Sequence, residues 1–135
     1  MRRNLPFLSL VALTLLFTPF CSKKPAADPC KSEAVLSVTT TPATGSTETP
    51  SAGPFSLRVS VISTIPPSGV TIDVKARPES GTTTYFTATQ NTSSKDTDFT
   101  ITNTPSTVTC LVEITVTSKT CVTNKWTGSY RYSKK

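Results

Sequence analysis

The chain contains no histidine. That absence removes the commonest general base and the commonest metal-ligating side chain, and with them any Ser-His or Cys-His nucleophile arrangement. Charged residues are scarce at 16%, and the basic ones are not gathered along one element, which argues against a nucleic-acid-binding face. The acidic residues are scattered. Asp73 and Glu113 fall on outward strand positions, and Asp96 and Asp98 flank Thr97 in a loop. Two carboxylates are far from the roughly six to eight oxygens that calcium takes. A glycosidase pair needs two acids across a cleft, one of them in an apolar pocket, and no such context is visible. No catalytic residue, metal site or cofactor is expected, and no helical periodicity follows the first two dozen residues.

Long apolar runs are also absent, with one exception. Leu5 to Cys21 is almost continuously apolar, preceded by Arg2 and Arg3 and followed by Ser22, Lys23 and Lys24. The run falls short of the roughly 20 residues that a membrane-spanning helix needs, and its basic start has the form of an export signal held at the cytosolic side. A cysteine directly behind the apolar run, then a small polar residue and two lysines, resembles a bacterial lipoprotein signal. The resemblance covers about two dozen residues and implies that Cys21 is acylated and becomes the membrane-anchored N-terminus. Phe20 and Thr18 stand where that family carries a small residue and, usually, a leucine. Cleavage behind Ala26 and Ala27, releasing a soluble chain that starts at Asp28, and an uncleaved leader acting as an anchor are the alternatives. In all of them the remainder is exported. Ser22 to Lys24 hold no acidic run of the kind that resembles a surface-sorting signal, so the periplasmic face is favoured over the cell surface.

The 135 residues, less the leader and a tether, leave room for one domain of roughly 100 residues. Losing Arg2 and Arg3 lowers the formal charge from +6 to +4, with 12 basic residues remaining against 8 acidic. So small an excess favours solubility and a weak attraction to anionic surfaces. The layout expected is a leader over 1–21, a tether over 22–33 containing Pro25 and Pro29, and a domain over 34–135. Within it, Thr41 to Pro54 has almost nothing to bury and reads as an exposed loop or linker.

Thr in alternation with Val and Ile is what a pleated, half-buried surface selects. Ala34 to Thr40 is a weak first strand. Phe55, Leu57, Val59, Val61 and Ile65 share a face, Pro66 to Gly69 forms a turn, and Val70, Ile72, Val74 and Ala76 face inward beyond it, reading as a hairpin. Further strands fall at Thr82 to Gln90, Asp98 to Thr102 and Thr107 to Thr117, the last with Val108, Cys110, Val112, Ile114 and Val116 inward. The final strand runs from Val122 to Tyr132, with Val122, Trp126, Tyr130 and Tyr132 on one face, where core packing is the better reading than an aromatic sugar platform. About seven short strands between Pro, Gly, Asn and Ser turns predict an all-β antiparallel sandwich, similar to immunoglobulin-like and fibronectin type III modules; a small β-barrel is the runner-up. The cysteine pair bracketing a tryptophan that marks antibody domains is missing, since Trp126 follows both late cysteines.

Cys30, Cys110 and Cys121 enter a disulfide-permitting compartment. If Cys110 and Cys121 open successive strands they stand roughly 23–26 Å apart, beyond disulfide reach. In immunoglobulin-like folds the first strand can lie beside the seventh, and this resemblance implies a Cys30–Cys121 bond with Cys110 a buried free thiol; the alternative leaves Cys30 unpaired in a linker. The sandwich also implies one sheet whose outward face carries Lys75, Arg77, Lys125 and Arg131 around Glu113. Such a face suits an anionic glycan or lipid headgroup, although an ordinary solvated face is the plainer reading. The function expected is a non-catalytic envelope lipoprotein, anchored by its N-terminal lipid and acting as a structural or protein-interaction module. A carbohydrate-binding accessory protein is the alternative.

Overall fold

A computed structural model describes Pro25 and residues 27–135. The leader expected over 1–21, the acylation expected at Cys21 and the start of the expected tether lie outside the described residues.

The alternation of β-branched and polar residues becomes seven strands in two antiparallel sheets. A single helical turn, α1 (Pro29–Ser32), precedes them, capped by Asp28, whose carboxylate accepts from the Cys30 amide at 3.0 Å. One sheet holds β1 (Val38–Thr41), β2 (Phe55–Val61) and β5 (Asp96–Ile101) in the order β1-β2-β5. The other holds β3 (Val70–Pro78), β4 (Phe86–Thr92), β6 (Thr109–Ser118) and β7 (Lys125–Ser133) in the order β4-β3-β6-β7. The fold is an all-β sandwich.

Its core is what the period of two selects: Leu57, Val59 and Val61 from β2 and Phe99 and Ile101 from β5 face Val70, Ile72, Val74 and Ala76 from β3 and Cys110, Val112, Ile114 and Val116 from β6. Each such aliphatic side chain removed from water contributes about 1.5–3 kcal/mol before entropy is counted. Tyr130 and Tyr132 of β7 are core residues as well.

Several expected features are arranged differently. Residues 55–77 do not form a hairpin: β2 pairs with β1 and β5, whereas β3 pairs with β4 and β6. The two apolar faces meet across the core instead, and the connection through Pro66 and Pro67 crosses from one sheet to the other. Gly69 (φ +81°) closes that crossing, and a β-carbon there would stand 2.5 Å from the Thr92 carbonyl oxygen, so only glycine fits. The fourth strand starts at Phe86, not Thr82, and the fifth begins at Asp96, so Thr97 points into the core. Val108 and Val122 are exposed just outside β6 and β7; Cys121 sits in the loop before β7 rather than on the strand.

The stretch Thr41 to Pro54 is not a free loop. Its backbone runs along the outer edge of β7, with parallel bridges Thr47 to Arg131 and Ser51 to Lys134. Hydrogen bonds from Gly45 N to Ser129 O (2.7 Å), Glu48 N to Arg131 O (2.9 Å) and Arg131 N to Ser46 O (2.9 Å) fasten it there. A segment with nothing to bury thus satisfies the row of backbone groups that a sheet edge leaves open.

Candidate functional site

Three places hold most of the polar side chains that the fold brings together. The first is the outward face of the four-stranded sheet. Cross-strand register sets Lys75 opposite Glu113, and Arg77 in line with Leu111 and Arg131. Arg77 donates to Glu113 (Nε to Oε2, 3.2 Å) and to the Gly81 carbonyl (2.9 Å), and Arg131 Nε donates to Glu79. Lys125 pairs with Thr117, three rows of outward side chains from Arg131 along β7 and so about 20 Å away. The four basic residues named from the sequence therefore do not make one patch: Arg77 and Arg131 are matched by acids, and Lys125 belongs to the opposite end.

The second place is the tyrosine end. Tyr132 Oη lies 2.6 Å from Tyr85 Oη and 2.7 Å from Thr104 Oγ1, and its ring packs at 4.5 Å from Phe55. Tyr130 and Tyr132 are each 2% exposed. Burial pushes the Tyr130 phenol well above its ordinary value, with Tyr132 and Glu48 adding to the effect. Burial raises Tyr85 strongly too, with Cys110 and Tyr132 adding. It also raises Tyr132, partly offset by the hydrogen bonds with Thr104 and Tyr85. Two neutral phenols in the core and the half-buried Tyr85 against it supply no acid or base near neutral pH; they lock β7 to its surroundings. Trp126 lies over Gly128, where a β-carbon would stand 2.9 Å from Trp126 Cζ2 and 2.5 Å from Thr44 Cγ2. The aromatic residues of β7 thus pack inward and form no open platform. The adjoining cleft, between Gly53, Phe55, Thr102 and Lys134, is about 250 Å³, below the roughly 300–1,000 Å³ of small-molecule sites.

The third place is the end of the sandwich where the chain enters. Cys30 is disulfide-bonded to Cys121, with α-carbons 5.2 Å apart and a sequence separation of 91; Cys110 is free and buried. Three residues on, Glu33 accepts from Ser118 Oγ (2.8 Å) and Asn124 Nδ2 (2.7 Å). Asn124 also donates to the Ala34 carbonyl (2.8 Å) and accepts from the Leu36 amide (2.9 Å). Residues 30–36 are therefore bound to the β6–β7 loop, so the latter part of the segment expected as a tether is fastened to the sandwich. Sequence reasoning missed Glu33, Ser118 and Asn124, since partners more than 80 residues apart leave no local pattern. Among the described residues no cluster of three or more His, Cys, Asp or Glu side chains is placed to hold a metal ion.

No protein-family model, curated protein or solved structure matches the chain.

Proposed function

We propose that the protein is a non-catalytic, exported envelope lipoprotein whose domain, an immunoglobulin-like module, acts as a structural or protein-interaction unit held to the membrane by acylated Cys21. The observation that carries this reading is the Cys30–Cys121 bond, because disulfides persist in oxidising compartments and are rare in the cytosol. It supports the export expected from the sequence and stands nine residues behind the cysteine proposed as the anchor. The immunoglobulin-like identity is supported by a three-stranded sheet packed on a four-stranded one with the fourth strand beside the third. The best-formed polar cluster, around Glu33 and Asn124, binds the chain to itself and is accounted for as architecture.

Mass spectrometry of the mature N-terminus tests the anchor. A diacyl or triacyl mass on Cys21, with partition into detergent, is expected, and Cys21→Ser abolishes both. A soluble mature chain beginning at Asp28 overturns the reading.

A further inference from the structure

We infer that the chain-entry end of the sandwich is a docking surface for an anionic lipid bilayer, so that the domain rests on the membrane rather than standing clear of it. This rests on the anchoring proposed above.

Three exposed aliphatic residues lie in the loops of this end: Val35 (83% exposed), Ile62 (60%) and Val122 (71%). Backbone and side-chain hydrogen bonds tie these loops into one cluster. Ile62 N donates to Ser37 O at 2.9 Å, Leu36 N to Asn124 Oδ1 at 2.9 Å, and Asn124 N to Cys121 O at 2.9 Å. The cluster continues to its lysines, with Val61 N donating to Lys95 O (2.8 Å) and Lys119 N to Gly69 O (3.1 Å). Lys31, Lys95, Lys119 and Lys125 are all exposed here. Of the acids at this end, Glu33 has both oxygens engaged by Ser118 and Asn124, Asp28 caps α1, and Asp96 accepts from Ser60 Oγ at 2.5 Å. Aliphatic side chains among cations are the composition that an anionic interface takes up, the aliphatics entering the headgroup region and the lysines meeting phosphate.

Chain length fixes the orientation. From Cys21 to Cys30 is nine residues, at most about 30 Å when fully extended. Cys30 is bonded to this same end. An anchored chain therefore holds these loops within one tether length of the bilayer, at a high effective concentration, while Lys134 lies at the far end of β7. Lys23 and Lys24 lie within the tether and add to the same attraction. Each lysine close to an anionic surface is worth about fivefold in binding.

The test uses the full mature chain on vesicles of phosphatidylcholine alone or with phosphatidylglycerol, labelled by a membrane-impermeant lysine acylating reagent and read residue by residue by mass spectrometry. On anionic vesicles, Lys31, Lys95, Lys119 and Lys125 should label several-fold more slowly than on neutral ones, with Lys75 and Lys135 unchanged and the protection lost in high salt. Replacing Val35, Ile62 and Val122 together by serine should weaken that protection. Flotation of the same samples reads the anchor separately. A chain that floats on both vesicles but labels equally overturns docking and leaves the anchor standing; a chain that floats only on anionic vesicles, with the four lysines protected, supports docking and overturns the anchor. Protection in native envelope but not on either vesicle overturns the lipid assignment in favour of a protein partner.

Discussion

Cys30 and Cys121 stand 5.2 Å apart at their α-carbons across 91 residues of sequence, and Glu33 reaches Asn124 at 2.7 Å beside them. Covalent bond and hydrogen-bonded clasp hold the same segment to the same loop. Cys30→Ala/Cys121→Ala should lower the stability of the described domain by about 2–4 kcal/mol, with a ceiling near 5 for a loop of this length. Chemical denaturation with and without reductant measures it. Asn124→Ala, which removes the partners of Glu33, Ala34 and Leu36, should cost about 1–3 kcal/mol. A double-mutant cycle should show less than additive loss once the bond is gone.

Thr97 is 5% exposed on the inward face of β5, and its hydroxyl has no hydrogen-bond partner. A buried, unpaired hydroxyl is a standing cost, so the nearly isosteric Thr97→Val should stabilise the fold by about 1 kcal/mol. An unchanged or lower denaturation midpoint would show that the hydroxyl is satisfied after all.

Gly128→Ala should destabilise by about 1–3 kcal/mol, because the added methyl meets both Trp126 and Thr44. Trp126 is the one tryptophan in the chain, so its displacement is read directly as a red-shifted emission. Trp126→Leu in the same chain should recover part of the loss.

The chain's three tyrosines make stability fall in alkali. Burial raises the folded-state values of Tyr85, Tyr130 and Tyr132 above the ordinary phenol value of 10.0. The stabilising preference for the neutral form is fully present below pH 10 and is lost as pH rises above it, since the unfolded chain then releases protons that the folded one keeps. For Tyr130 alone the slope approaches about 1.4 kcal/mol per pH unit. Absorbance at 295 nm should show no tyrosinate near pH 10, followed by a single step coincident with unfolding; gradual ionisation of a folded protein would refute the buried placement.

At the acid limb the exposed pair of Arg58 and Asp98 acts in the opposite direction. Arg58 donates to both carboxylate oxygens (2.7 and 2.9 Å) and holds Asp98 below the usual carboxylate value. What this pair contributes is present above that usual value and fades as pH drops through the lowered one. Asp98→Asn should therefore flatten the acid end of the stability profile slightly and leave neutral stability almost unchanged.

Alternation made most of the core legible. The inward residues of β2, β3 and β6 follow directly from a period of two, with Val108 an exception where the strand has not yet begun. The sheet partners were not legible, because β2 and β3 have the same apolar pattern whether they lie side by side or face each other. Nor was the role of 41–54: a stretch with almost nothing to bury reads as loop, and only the open edge of β7 gives its backbone a use. The basic residues were legible as outward positions, but their ion pairs depend on Glu79 and Glu113 arriving from other parts of the chain.

By itself the sequence determined the all-β class, the inward faces, the absence of histidine chemistry and the apolar run from Leu5 to Phe20, since each is a property of local pattern or composition. Only the tertiary structure decided which strands share a sheet, which groups clasp residues 30–36, and that exposed Val35, Ile62 and Val122 gather at the end where the chain enters. These are relations between residues far apart in the chain, and such distances close only when two sheets fold onto one core.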